Sequence, residues 1–136
     1  MVYAERFNSS YNDLAIFTDM SDCIFCKIIA GKGSSQLLYQ DVLVSGFRDH
    51  HPVAPVHVLV VPNKHIASVN DLTSEDEALM GHLVTVAREL ARQEGVDRSG
   101  YRLVVNTGPQ GGQRVYHIHL HLLGGRQMQA LVGSMD

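Results

Sequence analysis

The sequence predicts an α+β fold built on a largely antiparallel sheet, and three observations carry that prediction. Strand-like runs outnumber helical ones, five against two. No regular strand–helix–strand alternation is present, so nothing forces the strands parallel. One long amphipathic stretch is enough to cover a single face of such a sheet. At 136 residues, 45% of them hydrophobic and 18% charged, the chain is most simply one domain with a real core.

Residues 1–20 have no clean periodicity and read as a loosely held extension, with the compact domain running over 21–136. Met20 stands where that domain would start. Residues 23–30, Cys-Ile-Phe-Cys-Lys-Ile-Ile-Ala, read as a short helix closed by Gly31. Residues 37–39 and 42–47 form a hairpin around Gln40 and Asp41, and the loop 48–52 follows. The β-branched run 56–61 is a central strand ended by Pro62. Ser74 and Glu77 have capping-box spacing, and the helix they open carries Leu79, Leu83, Val86 and Leu90 on one stripe up to Gly95. Residues 101–106 are a further strand, and the glycine-rich loop 108–113 feeds the last one. That last strand, 116–123, reads Tyr-His-Ile-His-Leu-His-Leu-Leu, with a short irregular tail after it. Alternation at two residues puts His117, His119 and His121 on one face and Ile118, Leu120 and Leu122 in the core.

Composition excludes several roles. A net charge of −3 and a pI near 6.2 give no electrostatic reason to expect nucleic acid. No apolar run reaches the roughly 20 residues needed to span a bilayer. No signal peptide is evident, so a cytoplasmic chain is expected, and Asn8-Ser9-Ser10 is then a chance match to a glycosylation acceptor. His82 in the long helix points to nothing nameable and reads as a surface or packing residue.

The histidine row admits three readings: a polar strand face, a metal site enlisting His57, or nucleophilic catalysis by one imidazole. Gly111 and Gly112 favour the third, because backbone N–H groups of such a loop cradle an anion, and a nucleophile beside an anion cradle points to attack on phosphorus. Cys23-x-x-Cys26 reads as two buried small residues, a redox pair lacking its usual context, or half of a zinc site.

The block from His117 to Leu123 resembles the signature of the histidine-triad (HIT) family. The flanking Gly-Gly-Gln-Arg-Val-Tyr and Gly-Gly-Arg-Gln-Met are similar to the Hint branch, the histidine-triad nucleotide-binding proteins. Cys23 to Ile29, Ala54 to His57 and Val61 to Ile66 stand in the family's order, so the resemblance covers roughly residues 22–128. It implies a HIT-like fold, a homodimer whose sheets join, and hydrolysis of purine nucleoside phosphoramidates such as adenosine 5′-monophosphoramidate. His119 would attack the α-phosphorus and form a nucleotidyl-histidine. His121 and His57 would hold its tautomer and contact the phosphate, with His117 supporting them. Asn106 and the Gly112 backbone would bind phosphate oxygens, Asp49 the ribose hydroxyls, and Phe25, Ile28, Phe47 and His50 the base. From the residues alone, Phe25, Ile28 and Phe47 are equally well core packing. Relatives with this Cys-x-x-Cys bind structural zinc, which here implies Cys23, Cys26, His65 and His117 as ligands. The alternatives are a dinucleoside polyphosphate hydrolase of the same family and a nucleotide-binding interaction protein with vestigial activity. The chain departs from the branch at Arg114, where a small hydroxyl residue is common and an arginine could bind the nucleotide's phosphate or reach an acidic substrate group, at His50, commonly aliphatic, and in having no tryptophan.

Overall fold

The computed structural model describes residues 22–131. The predicted extension 1–20, its boundary at Met20 and the glycosylation tripeptide lie outside the described residues. A short helix α1 (Ile24–Ile29) precedes strands β1 (Leu37–Gln40), β2 (Val44–Arg48) and β3 (Val56–Pro62). Two 3-10 turns lead into helix α2 (Glu77–Gln93), and β4 (Tyr101–Val104) and β5 (Leu120–Gly124) complete the fold. The five strands form one sheet in the order β1-β2-β3-β5-β4, every pairing antiparallel.

Strand alternation divides the molecule into two cores. Val44, Val58, Val60, Leu120 and Leu122 face α2 and pack on Leu83, Val86, Ala87, Leu90 and Ala91. The predicted stripe is therefore the buried face of α2, with Leu79 at its margin. At the β2 crossing Gly46 lets the helix in close, since a Cβ there would sit 2.8 Å from Leu90 Cδ1. On the opposite face Phe47, Leu59 and Val61 pack on Phe25, Ile28 and Ile29 of α1. His57 and His121 belong to this second face: Leu59 pairs with His121 and His57 with Leu123, so the two histidines are diagonal neighbours.

Three expectations are corrected. The last strand begins at Leu120, so His117 and His119 precede it and the three histidines do not share one strand. The Ile118 N–H goes instead to the Ile66 carbonyl at 2.7 Å, which pulls this stretch off the sheet ladder. The capping box is Thr73 with Asp76, one residue earlier than expected, and it opens the second 3-10 turn. Asp76 wins because it is also buried and bonds Lys64 at 2.9 Å. His82 does have a partner: its Nε2 lies 2.7 Å from Asp41 Oδ2, which also accepts from the Tyr39 hydroxyl at 2.6 Å. This ties α2 to the β1–β2 turn.

Candidate active site

A cleft of about 640 Å³ opens on the α1 face of the sheet. It brings together Phe25, Ile28, Phe47, Asp49, His50, His57, Asn106, Gly112, Arg114, His119 and His121, all residues that the sequence marked. Phe25, Ile28 and Phe47 are both core and wall, so the two readings of them coincide.

Hydrogen bonds fix which nitrogen of each histidine carries its proton. The Val53 backbone N–H donates to His57 Nδ1 at 3.1 Å. The proton of neutral His57 is therefore on Nε2, shared between His121 Nδ1 at 3.0 Å and Asp49 Oδ2 at 3.2 Å. His121 Nδ1 must then accept, which leaves its proton on Nε2. That Nε2–H is buried and has no partner among the described residues. A donor left so costs about 1–3 kcal/mol unless something takes it. His119 is arranged the other way: its Nδ1–H donates to the His117 carbonyl at 2.8 Å, and its Nε2 keeps a free lone pair. The floor of the cleft thus offers one nucleophilic nitrogen beside one unspent donor.

Burial keeps these rings neutral. Desolvation lowers His119 below the ordinary 6.5 and does the same to His57, where Asp49 opposes it. Burial, with the nearby His119 and His57, takes His121 down to about 4. Phe25 braces the nucleophile edge-on, its ring centroid 5.1 Å from that of His119.

Two of the marked residues are bonded in ways the sequence did not suggest. Gly112 lines the cleft, but its N–H is spent on the Pro109 carbonyl at 3.1 Å, and the Gln113 N–H on Gly108 at 3.0 Å. The loop is bonded to itself, and its tightness requires glycine at 111, where a Cβ would lie 2.3 Å from the Thr107 oxygen. His117 is fully buried and does not line the cleft, in keeping with a supporting place; what it supplies there is its backbone carbonyl. His50 is at the rim, where its Nε2 meets the Ser35 hydroxyl. Ser35, Val53 and Leu59 also line the cleft, and no motif marks them.

His117 belongs to a second cluster with Cys23, Cys26 and His65, whose ligand atoms all lie within 4.8 Å of one another. His117 Nδ1 is 3.4 Å from Cys23 Sγ and 3.5 Å from Cys26 Sγ, and His65 Nδ1 is 3.4 Å from Cys26 Sγ. Zinc–sulfur and zinc–nitrogen bonds of about 2.3 and 2.05 Å at tetrahedral angles give a nitrogen–sulfur separation of about 3.6 Å. The four residues therefore fit zinc in kind, number and spacing. His117 Nε2–H donates to the Pro62 carbonyl at 2.8 Å, the outer contact that turns a histidine's other nitrogen toward a metal. The Cys26 thiol donates to Cys23, holding Cys23 down to about 3 and pushing Cys26 up. Asp49, His57 and His121 also converge, but the proton between the two rings makes them a hydrogen-bond relay.

Residues 30–128 match the HIT domain model. The chain belongs to the HIT family. It is 51% identical over 107 residues to the purine nucleoside phosphoramidase of Escherichia coli (strain K12), covering 79% of this chain and 90% of that protein. An uncharacterized HIT-like protein of Synechococcus elongatus is 50% identical over 107 residues, covering 79% and 93%. Among solved structures, a HIT family hydrolase from Legionella pneumophila superposes with a TM-score of 0.79 at 47% identity, covering 82% of this chain and all of that one. The HIT fold expected from the triad is thus the fold observed. No helix among the described residues is long and apolar enough to cross a membrane.

Proposed function

We propose that this HIT protein hydrolyses purine nucleoside phosphoramidates through a nucleotidyl-histidine on His119. One observation carries the reading: the free Nε2 lone pair of His119 stands beside the unspent Nε2–H of His121 on the floor of a cleft. The E. coli relative, named a purine nucleoside phosphoramidase, supports the substrate class. His119 Nε2 attacks phosphorus as the bond from phosphorus to the leaving amine breaks, and the amine departs with a proton from water. Water then attacks the same phosphorus, the bond to Nε2 breaks, and the nucleoside monophosphate leaves. The proton released by that water balances the one taken by the amine. Two easier displacements replace one hard one. While phosphorus is attached, the charge on the ring sits next to the His117 carbonyl, which stabilises it. The His121 Nε2–H and the Asn106 amide face the phosphoryl oxygens. Phe25, Ile28 and Phe47 hold the base with His50 at the rim, and Asp49 serves the ribose while bracing His57.

Two further features belong to the proposal. Cys23, Cys26, His65 and His117 hold a structural zinc, which cross-links α1 to the segment after β3 and the segment before β5. A homodimer forms in the cytoplasm, supported by β4 at the sheet's edge, where a second copy finds unpaired backbone groups.

The test is the mass of the protein quenched during turnover of adenosine 5′-monophosphoramidate. The expected result is a nucleotidyl adduct on His119, lost together with turnover in His119→Ala. Undiminished hydrolysis by that variant would sink the assignment, and turnover of diadenosine polyphosphates alone would favour the dinucleotide reading.

A further inference from the structure

The cleft carries positive charge that a simple phosphoramidate does not use. Asp49 is the one carboxylate among its described lining residues, and it already accepts from the His51 backbone N–H at 2.8 Å and faces His57 at 3.2 Å. Three permanent cations line the same cleft. Arg48 is closed off by Glu94, which it holds through two bonds of 2.7 and 3.0 Å. Lys27 and Arg114 have no ion-pair partner among the described residues. The whole chain is at −3, so the surplus is local and not a reflection of bulk charge.

A nucleoside phosphoramidate with a neutral leaving amine has a single negative charge, on the phosphoryl group. The His121 Nε2–H and the Asn106 amide face that group already. In-line displacement sets the leaving group opposite the nucleophile. His119 is on the buried floor, 7% exposed, so the leaving group points to the mouth, where Arg114 is exposed. Lys27 sits on α1 between Phe25 and Ile28, on the base side, which leaves Arg114 as the cation for the departing group.

We propose that Arg114 selects leaving groups bearing a carboxylate, that is, amino acids joined to phosphorus through their amine. A guanidinium presents two parallel N–H groups that match a carboxylate's two oxygens, a fit that lysine lacks. This inference rests on the phosphoramidase reading and refines its substrate.

The experiment compares kcat/KM for two adenosine phosphoramidates sharing one kind of phosphorus–nitrogen bond, those of glycine and glycinamide. The full chain, R114Q and R114K are assayed. The wild type is expected to favour glycine by about tenfold, a preference that shrinks as salt is raised. In R114Q the ratio should fall to about one, with R114K between the two. A wild-type ratio of one, or a ratio in R114Q equal to the wild type's, would overturn the inference. In either case turnover of both compounds leaves the phosphoramidase reading standing. Turnover of neither brings down that reading and this one together.

Discussion

Replacing His57 by phenylalanine separates orienting a catalytic group from taking part in the chemistry. His57 passes the direction of one backbone N–H, that of Val53, on to His121 Nδ1 through bonds of 3.1 and 3.0 Å. Phenylalanine keeps most of the buried volume and removes both nitrogens. Val53 and Asp49 are near enough to the surface to turn to water, so the stability lost is about 1–3 kcal/mol, from two bonds of about 0.5–1.5 kcal/mol each. The catalytic loss is that of one bond orienting His121. The same 0.5–1.5 kcal/mol then lowers kcat by about two- to tenfold. A general acid or base removed at the same position would cost about 10²- to 10⁴-fold, so the two roles give separate outcomes. Single-turnover rates measure the loss, and nitrogen-resolved NMR of the histidine rings reads the cause directly. The wild type should show His121 protonated on Nε2 alone, and His57→Phe a mixture of both tautomers. A loss beyond about 100-fold, or a wild-type His121 protonated on Nδ1, would refute the relay.

Three other outcomes are expected. Because burial lowers His119 below 6.5, kcat/KM should stay level to below that pH and then fall with unit slope as Nε2 takes up a proton; an acid limb centred at or above 6.5 would contradict the neutral nucleophile. The lowered values of His57, His119 and His121 also give a stability that is complete above 6.5 and drops on acidification, since the unfolded chain binds protons first. Urea midpoints on either side of 6.5 measure this. For the metal, protein purified without chelator should hold about one zinc per chain, and Cys26→Ser or chelation should lower Tm by about 10 °C. No zinc in any preparation, with Tm unmoved by chelator, would remove the metal from the account.

Local periodicity made most of the fold legible. The β-branched run at β3 and the 3.6-residue stripe of α2 each point to one face, and the structure uses those faces. The histidine row shows where that logic ends. Alternation correctly sets Leu120 and Leu122 toward α2, but strand pairing stops at Leu120 because Ile118 finds the Ile66 carbonyl. That competition lies 52 residues away in the sequence. Thr73–Asp76 and Ser74–Glu77 have the same capping pattern, and the choice falls to Lys64, a partner no local window contains. Gly112 looked like an anion donor on composition, yet glycines that make a loop tight also let it satisfy its own N–H groups. Side-chain identity at the site was legible through the triad. Proton placement was not, since it depends on the Val53 N–H and the His117 carbonyl, which sequence does not distinguish from any other backbone.

The grip on His119 comes from the main chain of residue 117, while the contacts to Cys23 and Cys26 come from that residue's ring. Substitution can delete the ring but not the carbonyl. A lineage can therefore give up Cys23, Cys26, His65 and the His117 imidazole for apolar packing and still keep its nucleophile in the reactive tautomer. The four-residue cluster and the nucleophile's tautomer are thus separable under substitution, although one residue serves both.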